Sequence, residues 1–239
     1  MNHLSKELVE FGYFTAGDEE DYLNFFNEAG LTNDRYYQTA IAYDASESVQ
    51  VPSVLYRYED GQNHLDALYG KAIHVNVVSE NVPAHNMYNV YRMPADLHSV
   101  ISRQFLNSKS WHLYTVILKT AIAPNPASIY IDFKTDEFSL VVLKEDKLLL
   151  SQTFGYAAPA DVLYHLLKCC QQLNLSQQTV QVHLSGLIEK DSAVYRELYK
   201  YFINLEFESL AGGIKLSAAL TIHPDHYYSS ISKLATCVL

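Results

Sequence analysis

Three short apolar stretches in the second half of the chain, separated by tight polar turns, constrain the fold more than any other feature of the sequence. Each stretch has the length of a strand and is bounded by turn-forming residues. The turns are too short for a crossover connection, so neighbouring strands must run antiparallel. The sequence therefore predicts a three-stranded meander with strands at 128–133, 138–143 and 148–153.

After this meander the pattern alternates between helix and strand. One helix begins at Pro159, and a second is predicted to be capped by Asp191. The first strand after the meander follows a helical crossover, which favours parallel pairing. Strands are predicted at 180–185 and 204–208, and a closing helix at 226–237. Three antiparallel strands, a helix, a strand, a helix and a strand are the element order of a ribonuclease H-like unit.

The first half of the chain also mixes helices and strands. Asp18 is predicted to cap a helix that Gly30 ends, because its carboxylate accepts hydrogen bonds from the free N–H groups of the first turn. Pro94 is predicted at the first position of another helix, where its missing N–H costs nothing. Strands are predicted at 7–14, 36–43, 72–78, 86–92 and 111–118, a loop at 44–53 and a short helix at 58–69.

A loop at 121–127, which contains Pro124 and Pro126, is the best candidate for a domain boundary. It predicts an N-terminal α/β subdomain at 1–121, a degenerate ribonuclease H-like unit, and a C-terminal ribonuclease H-like subdomain at 122–239. The predicted fold class is α/β with mixed sheets.

Several blocks of this sequence resemble one family. The block IYIDFKTDEFSLVVLKEDKLLLSQTF is followed by PADVLYHLLKCCQQLNL and VQVHLSGLIEKDSAVYRELYKYF, and upstream of them are VPSVLYRYED and VNVVSENVPAHNMYNVYRMPADLHSVI. In their order these blocks resemble an uncharacterised bacterial domain-of-unknown-function family with an actin-like ATPase fold. The resemblance covers residues 51–202. It implies two ribonuclease H-like subdomains with a cleft between them.

The resemblance also implies where a nucleotide would bind. In active relatives the first hairpin of each subdomain brings its backbone to the phosphates, glycines allow that close approach, and an aspartate handles magnesium and water. In the C-terminal subdomain the matching residues of this sequence are Asp132, Lys134 and Thr135. The turn formed by Ser185 and Gly186 matches the nucleoside motif.

This sequence departs from the pattern of active relatives at both phosphate loops. Phe133 and Lys134 are found where small residues and glycine are expected, and the nucleoside turn has a single glycine. In the first half the nearest hairpin candidate is EFGY at 10–13, with glutamate in place of aspartate. We therefore expect no cofactor and a non-catalytic interaction or scaffold protein with an unknown protein partner. The alternative is an atypical ATP-binding protein or ATPase that binds ATP and magnesium in the cleft, with Asp132 as its catalytic candidate.

His223, Asp225 and His226 form the densest cluster of metal-type ligands in the sequence. The same residues are typical of a turn and a helix N-cap, and we favour this interpretation because no further ligand lies nearby in sequence. A two-metal nuclease is not expected, because it needs several carboxylates around one site and the strand at 180–185 supplies none.

One face of that strand is polar, with Gln181, His183 and Ser185 alternating with apolar residues. A strand covered by helices on both sides is normally apolar on both faces. The polar face therefore lines a crevice, or else it faces solvent or has its hydrogen bonds satisfied by neighbouring loops, and the sequence leaves these interpretations open.

The composition excludes several classes of function. Lys and Arg number 17 against 27 Asp and Glu, giving a formal net charge of −10, and neither half is basic, so no nucleic-acid partner is expected. No apolar run approaches the length of a membrane span, and the opening residues lack the apolar stretch of a secretory leader. With three cysteines and no CxxC pair, we expect a cytoplasmic protein. The oligomeric state stays open, and a homo-oligomer is compatible with the sequence.

Tyrosine is unusually frequent, at 19 residues. These rings either pack at strand edges and core margins with their hydroxyls in water or form a binding surface, and we favour packing because tyrosine also favours strands. An interaction protein is expected to expose an apolar or tyrosine-rich patch larger than a monomer normally shows.

Overall fold

The computed structural model describes residues 7–8, 18–31, 39–121 and 127–237. Its first half contains β1 (Glu7–Leu8), α1 (Glu19–Glu28), β2 (Ala40–Tyr43), β3 (Ser48–Pro52), α2 (Gly61–Tyr69), β4 (Val75–Val82), β5 (Met87–Pro94), α3 (Ala95–Gln104), β6 (Lys109–His112) and α4 (Leu113–Thr120). Its second half contains β7 (Ser128–Phe133), β8 (Glu137–Lys144), β9 (Lys147–Gly155), α5 (Pro159–Gln172), β10 (Gln181–Gly186), α6 (Ala193–Tyr199), β11 (Asn204–Phe207), β12 (Lys215–Leu216) and α7 (Ser229–Thr236).

The largest sheet has five strands in the order β11-β10-β7-β8-β9. β7, β8 and β9 pair antiparallel, which confirms the predicted meander. β10 pairs parallel with both β7 and β11, as the helical crossover requires. The mixed α/β class and the ribonuclease H-like strand order are thus both present.

A hydrophobic core fills the space between this sheet and α5. Pro159 begins α5, and the buried side of that helix includes Leu166, Cys169 and Cys170. Burial raises the pKa of Cys169 to about 11 and that of Cys170 to about 12. Both thiols are therefore protonated core side chains rather than nucleophiles.

The opposite face of the same sheet is covered by α4 and α7. Leu113, Tyr114 and Ile117 of α4 pack against Tyr130 and Val141 of the sheet. This face is less apolar than the α5 face, because polar side chains of the sheet also meet α7 there. The polar contacts form the candidate site.

The first half contains a three-stranded antiparallel sheet, β3-β5-β4, and a parallel pair, β2-β6. The pairing of β4 with β5 and the helix that Asp18 caps are confirmed. β1 pairs in parallel with β12, so that Glu7 lies opposite Lys215 and Leu8 opposite Leu216.

Two of the predicted elements are wrong. The predicted strand at 111–118 is β6 followed by α4, which is buried from Leu113 to Leu118. A helix buried on all sides has no polar face, so its sequence cannot be distinguished from a buried strand. The predicted loop at 44–53 contains β3, whose polar side chains are satisfied within the sheet: the Ser48 hydroxyl donates to Asn89 Oδ1 at 2.9 Å.

Two predicted caps are displaced by one residue. Pro94 ends β5 and is the N-cap of α3, not its first helical residue. Ser192, rather than Asp191, caps α6, because its hydroxyl accepts from the Tyr195 N–H at 3.1 Å. Such one-residue displacements are normal at helix ends.

Some predictions fall outside the described residues. The hairpin candidate at 10–13, most of the predicted strand at 7–14, the start of the one at 36–43 and the interior of the loop at 121–127 lie there. The division at residue 121 stays a prediction. None of the helices in the described ranges is long and apolar enough to cross a lipid bilayer.

Candidate functional site

The hairpin between β7 and β8 carries the first group of predicted site residues. Asp132 lies near the end of β7, and Lys134 and the exposed Thr135 lie in the turn. The turn is closed by the Lys134 N–H, which donates to the Glu137 carbonyl at 2.8 Å. The Tyr156 hydroxyl also donates to the Lys134 carbonyl at 3.0 Å. The hairpin is therefore fixed by its own main chain and by a neighbouring tyrosine.

Asp132 is bonded by two serine hydroxyls from different elements. Ser185 lies opposite Asp132 in the β10–β7 register and donates to its Oδ1 at 2.7 Å. Ser230, in the first turn of α7, donates to the same oxygen at 2.9 Å. Burial raises the pKa of Asp132 to about 6, although both hydrogen bonds favour the ionised form. The structure thus joins the two predicted residues Asp132 and Ser185 and adds Ser230.

Gly186 is a glycine because two backbones meet there. Its φ is +75°, and a Cβ at this position would lie 2.2 Å from the Phe133 carbonyl oxygen and 2.9 Å from Asp132 Oδ1. The Leu187 N–H donates to that same Phe133 carbonyl at 2.8 Å. Close packing of β10 on β7 accounts for this glycine without any bound phosphate.

Phe133, which is found where a small residue was expected, belongs to the core. Its ring packs near those of Phe138 and Tyr156, on the face of the sheet opposite to Asp132. The aromatic side chain therefore does not fill the space beside the carboxylate. It stabilises the α5 side of the sheet instead.

Lys134 points toward the first half of the chain. Its ammonium group lies 2.9 Å from Asp44 Oδ2, just after β2, and 2.7 Å from Glu137 Oε1. Burial alone would lower the pKa of Lys134, but the two carboxylates outweigh it and the net change is upward. Lys134 therefore stays charged, and its charge is neutralised by the chain's own acids.

The predicted metal-type cluster does not converge. His223 and Asp225 are exposed, whereas His226 is buried and its Nε2 lies 2.7 Å from the Ile188 carbonyl oxygen. The His226 ring also stacks on Phe207. Within the described ranges no group of three or more His, Cys, Asp or Glu side chains could hold a metal ion.

The polar face of β10 lines a crevice of about 420 Å³ between the sheet and α7. His183 stacks on Tyr130 and its Nδ1 lies 2.8 Å from Glu206 Oε1. Lys233 of α7 bonds both carboxylate oxygens of Glu208, at 2.5 and 2.6 Å. Gln181 and His183 therefore line a crevice, whereas Ser185 is buried and hydrogen-bonded to Asp132, so each interpretation describes part of this face.

A different kind of site lies along α5 and at the end of α6. Two adjoining grooves, of about 560 and 240 Å³, share Tyr201. We define the tyrosine surface as the exposed residues Tyr164, Tyr199, Tyr201 and Ile203 together with Lys168. Tyr199 and Ile203 each expose about two-thirds of their surface, at 66 % and 68 %. The composition left a binding surface open as the less favoured of two interpretations and could not locate it.

The comparisons with known proteins agree with this architecture. The family described as "Protein of unknown function (DUF3822)" matches residues 9–205. No curated protein matches the chain.

Two solved structures are similar over almost the whole chain. A Bacteroides thetaiotaomicron protein described as having an actin-like ATPase fold and unknown function is 16 % identical, with a TM-score of 0.74, over 91 % of this chain and 80 % of that one. The PilM–PilN type IV pilus biogenesis complex is 12 % identical, with a TM-score of 0.53, over 92 % of this chain and 84 % of that one. At these identities the similarity shows the fold, which is that of the actin-like ATPases.

Proposed function

The chain belongs to the family of unknown function that matches residues 9–205, and we propose that it is a non-catalytic protein that binds a partner protein through the tyrosine surface. The observation that carries the non-catalytic part of the proposal is the engagement of Asp132 by the hydroxyls of Ser185 and Ser230. In this fold the aspartate of the second phosphate hairpin must be free to manage magnesium and water. Here α7 covers it.

The neighbouring cation supports the same conclusion. A phosphate bound at this hairpin would need Lys134 as a counterion, but that ammonium group already contacts Asp44 and Glu137. Phosphate binding would have to break a partly buried charge network as well as displace a helix. Both requirements disfavour nucleotide chemistry in this cleft.

The tyrosine surface has the composition of a protein interface. Exposed aromatic and aliphatic side chains that line adjoining grooves are typical anchors for partner residues. Lys168 borders this surface and makes no ion pair with any described residue, although the chain as a whole carries a net charge of −10. We therefore infer a partner segment with an apolar side chain flanked by a carboxylate.

The comparisons support an interaction role at the level of the fold. The PilM–PilN complex is, by its description, an assembly in which a protein of similar fold is held with another protein. We propose that the partner here is likewise a protein and not a nucleic acid. We also propose a cytoplasmic location, because the three cysteines are free thiols, which suits a reducing compartment.

Site-specific crosslinking tests this proposal. A photoreactive amino acid in place of Tyr201 should crosslink one protein in cells, and the same group in place of the exposed Tyr58, far from Tyr201 in sequence, should not. With the identified partner purified, Tyr201→Ser and Ile203→Ser should each weaken binding at least tenfold. A crosslink to a second copy of the chain would identify a homo-oligomer instead. Equal crosslinking from both positions would contradict the proposal.

An atypical nucleotide-binding protein is the second candidate, favoured by the raised pKa of the partly buried Asp132, because perturbed carboxyl groups often mark functional sites. Calorimetry with magnesium and ATP separates the two candidates. Binding tighter than about 100 µM, or about −5.5 kcal/mol, that is lost in Asp132→Asn would establish a working cleft. No heat at millimolar ATP would exclude it.

A further inference from the structure

The crevice between the five-stranded sheet and α7 has the size of a small-molecule site. Its volume of about 420 Å³ lies within the range of about 300–1,000 Å³ that is usual for ligand pockets. Its lining includes Tyr130, Gln181, His183 and Glu206 from three neighbouring strands, and Ala121 from the end of α4. The crevice therefore combines a few polar groups with aromatic and apolar surface.

Polar side chains on β10 need an explanation, because this strand lies inside the sheet, between β11 and β7. An inner strand that is covered by helices is normally apolar on both faces. Gln181 departs from this pattern, and the chain does not compensate for it: its side-chain amide has no hydrogen-bond partner among the described residues and is open to the crevice.

His183 presents a hydrogen-bond acceptor to the crevice. Its Nδ1 lies 2.8 Å from Glu206 Oε1, and a carboxylate can only accept, so Nδ1 carries the proton. Burial lowers the pKa of His183, although Glu206 and Glu208 oppose that change, so the ring is neutral at pH 7. The other nitrogen, Nε2, then has a free lone pair, and it is accessible to solvent and has no partner among the described residues.

Glu206 adds a full negative charge beside this acceptor. Its side chain is 60 % exposed, and its contact with the neutral His183 ring does not cancel its charge. No lysine or arginine in the described ranges forms an ion pair with Glu206. This end of the crevice therefore has acceptors and a negative charge but no cation.

The other end of the crevice shows which group such a lining holds. There the Lys233 ammonium group bonds both carboxylate oxygens of Glu208 and lies 5.2 Å from the centre of the Tyr130 ring. The Glu206 end has the same two components, a carboxylate and an aromatic ring, because the His183 ring stacks on Tyr130. A second cation would complete it in the same way.

The charges also restrict the class of ligand. An anion would be repelled by Glu206 without gaining Lys233, whose charge Glu208 already neutralises. Within the described ranges no three His, Cys, Asp or Glu side chains converge on a metal ion. An organic cation with N–H donors satisfies both the charge and the unpaired acceptors.

We propose that this crevice binds a small organic cation, a primary ammonium group on a short apolar stem, which donates to Glu206, to His183 Nε2 and to the Gln181 amide oxygen. Ala121 and the Tyr130 ring offer apolar surface to the stem. The site uses neither the tyrosine surface nor Asp132. It therefore goes beyond the function proposed above, and each site can fail without the other.

Titration of the full chain with butylamine tests the inference, followed by calorimetry and by the imidazole NMR signals of His183. We expect saturable binding that shifts the His183 signals. Butanol, which has the same stem without the charge, should do neither at the same concentrations. Tetramethylammonium, which has the charge but no N–H group, should bind at least about fivefold more weakly than butylamine.

Glu206→Gln separates the charge from the structure of the site. The amide oxygen still accepts from His183 Nδ1, so the ring keeps its orientation while the negative charge is lost. Butylamine affinity should fall at least about tenfold, with an unchanged melting temperature. Glu59→Gln removes the same charge at an exposed position outside the lining and should leave the affinity unchanged.

Gln181→Leu is a second test, which leaves the contact between His183 and Glu206 intact. It removes one acceptor, so we expect butylamine affinity to fall about threefold. Equal binding of butanol, no saturable binding of butylamine, or binding that is insensitive to Glu206→Gln would each overturn the site. A capped peptide with a single lysine that binds where butylamine does not would overturn the assignment to a small molecule.

Discussion

The backbone at Gly186 approaches Phe133 so closely that a Cβ on the glycine would lie 2.2 Å from the Phe133 carbonyl oxygen. Both residues lie at the ends of paired strands, so neither backbone can retreat without breaking the β10–β7 ladder. We expect Gly186→Ala to lower the free energy of unfolding by roughly 3 kcal/mol or more, as clashes between buried backbones do. Urea denaturation measures this loss. Gly70→Ala is the control: its backbone (φ +80°, ψ 174°) also suits glycine alone, but no atom lies within 4 Å of the added carbon, so only the conformational cost, about 1–3 kcal/mol, should appear.

Replacement of Asp132 should stabilise the protein near neutral pH. Burial raises the pKa of Asp132 to about 6, above the ordinary 3.8. A carboxyl group whose pKa is raised by folding stabilises the folded state most below pH 3.8. That contribution is lost as the pH rises from 3.8 through 6. The uncharged amide of Asp132→Asn does not titrate, so the variant avoids the cost of the ionised carboxylate. Its free energy of unfolding should therefore exceed that of the wild type by about 1–3 kcal/mol at pH 7.5 and differ little at pH 4.

Urea denaturation of Asp132→Asn at both pH values measures the effect, with the exposed Asp225→Asn as the control. A variant that is less stable than wild type at pH 7.5 would show that the ionised carboxylate is needed by the fold. The same result would argue that α7 is held in place by the charge of Asp132.

His112 should make the protein sensitive to acid. Its Nε2 lies 2.8 Å from the Ala45 carbonyl oxygen, and its Nδ1 accepts from the Tyr114 N–H at 3.1 Å. Burial lowers the pKa of His112 to about 4, against 6.5 in an unfolded chain. The unfolded state therefore binds more protons between pH 4 and 6.5, and stability from this group falls as the pH drops through that window.

We expect His112→Gln to lower the free energy of unfolding by about 2–4 kcal/mol at pH 7, because a buried ring with two hydrogen bonds is lost. The difference from wild type should narrow toward pH 4, where the wild type has lost the contribution of the neutral ring. Denaturation across pH 4 to 7 checks this, and the exposed His223→Gln should follow wild type throughout. A constant difference across the range would contradict the assignment.

The buried pair of Lys233 and Glu208 should show strong coupling. Each side chain exposes only 10 % of its surface, and Ser229 also donates to Glu208. Lys233→Met leaves a buried carboxylate without its cation, so we expect a loss of about 3–5 kcal/mol. Adding Glu208→Gln should recover at least half of it, as a double-mutant cycle would measure. Strictly additive losses would mean that the two charges do not interact.

Local signals made the second half of the chain predictable. The meander follows from short polar turns, and α5 follows from Pro159 and an apolar stripe. α4 could not be predicted, because a helix buried on every side shows no periodic polar face. β3 could not be predicted either, because its polar residues are satisfied by Asn89 on a strand far along the chain.

Only the part of the candidate site that lies on paired strands could be predicted from the sequence. The sequence predicted the strands of Asp132 and Ser185 and a parallel pairing for the second, and the β10–β7 register then places the two residues opposite each other. Ser230 and Asp44 complete the network from a helix and a loop that no local pattern connects to Asp132. Such long-range polar contacts leave no periodic signal in a single sequence.

The pairing of β1 with β12 affects the order in which the chain folds. Bringing Glu7 beside Lys215 closes a loop that contains every other strand, and the entropic cost of closure increases with the length of the loop. Two paired residues contribute too few hydrogen bonds to hold such a loop closed alone, so this contact is expected to form late, after the larger sheets have assembled. A cut near residue 121 would leave β1 in one fragment and its partner strand in the other. Two such fragments would have to associate before either small strand could pair.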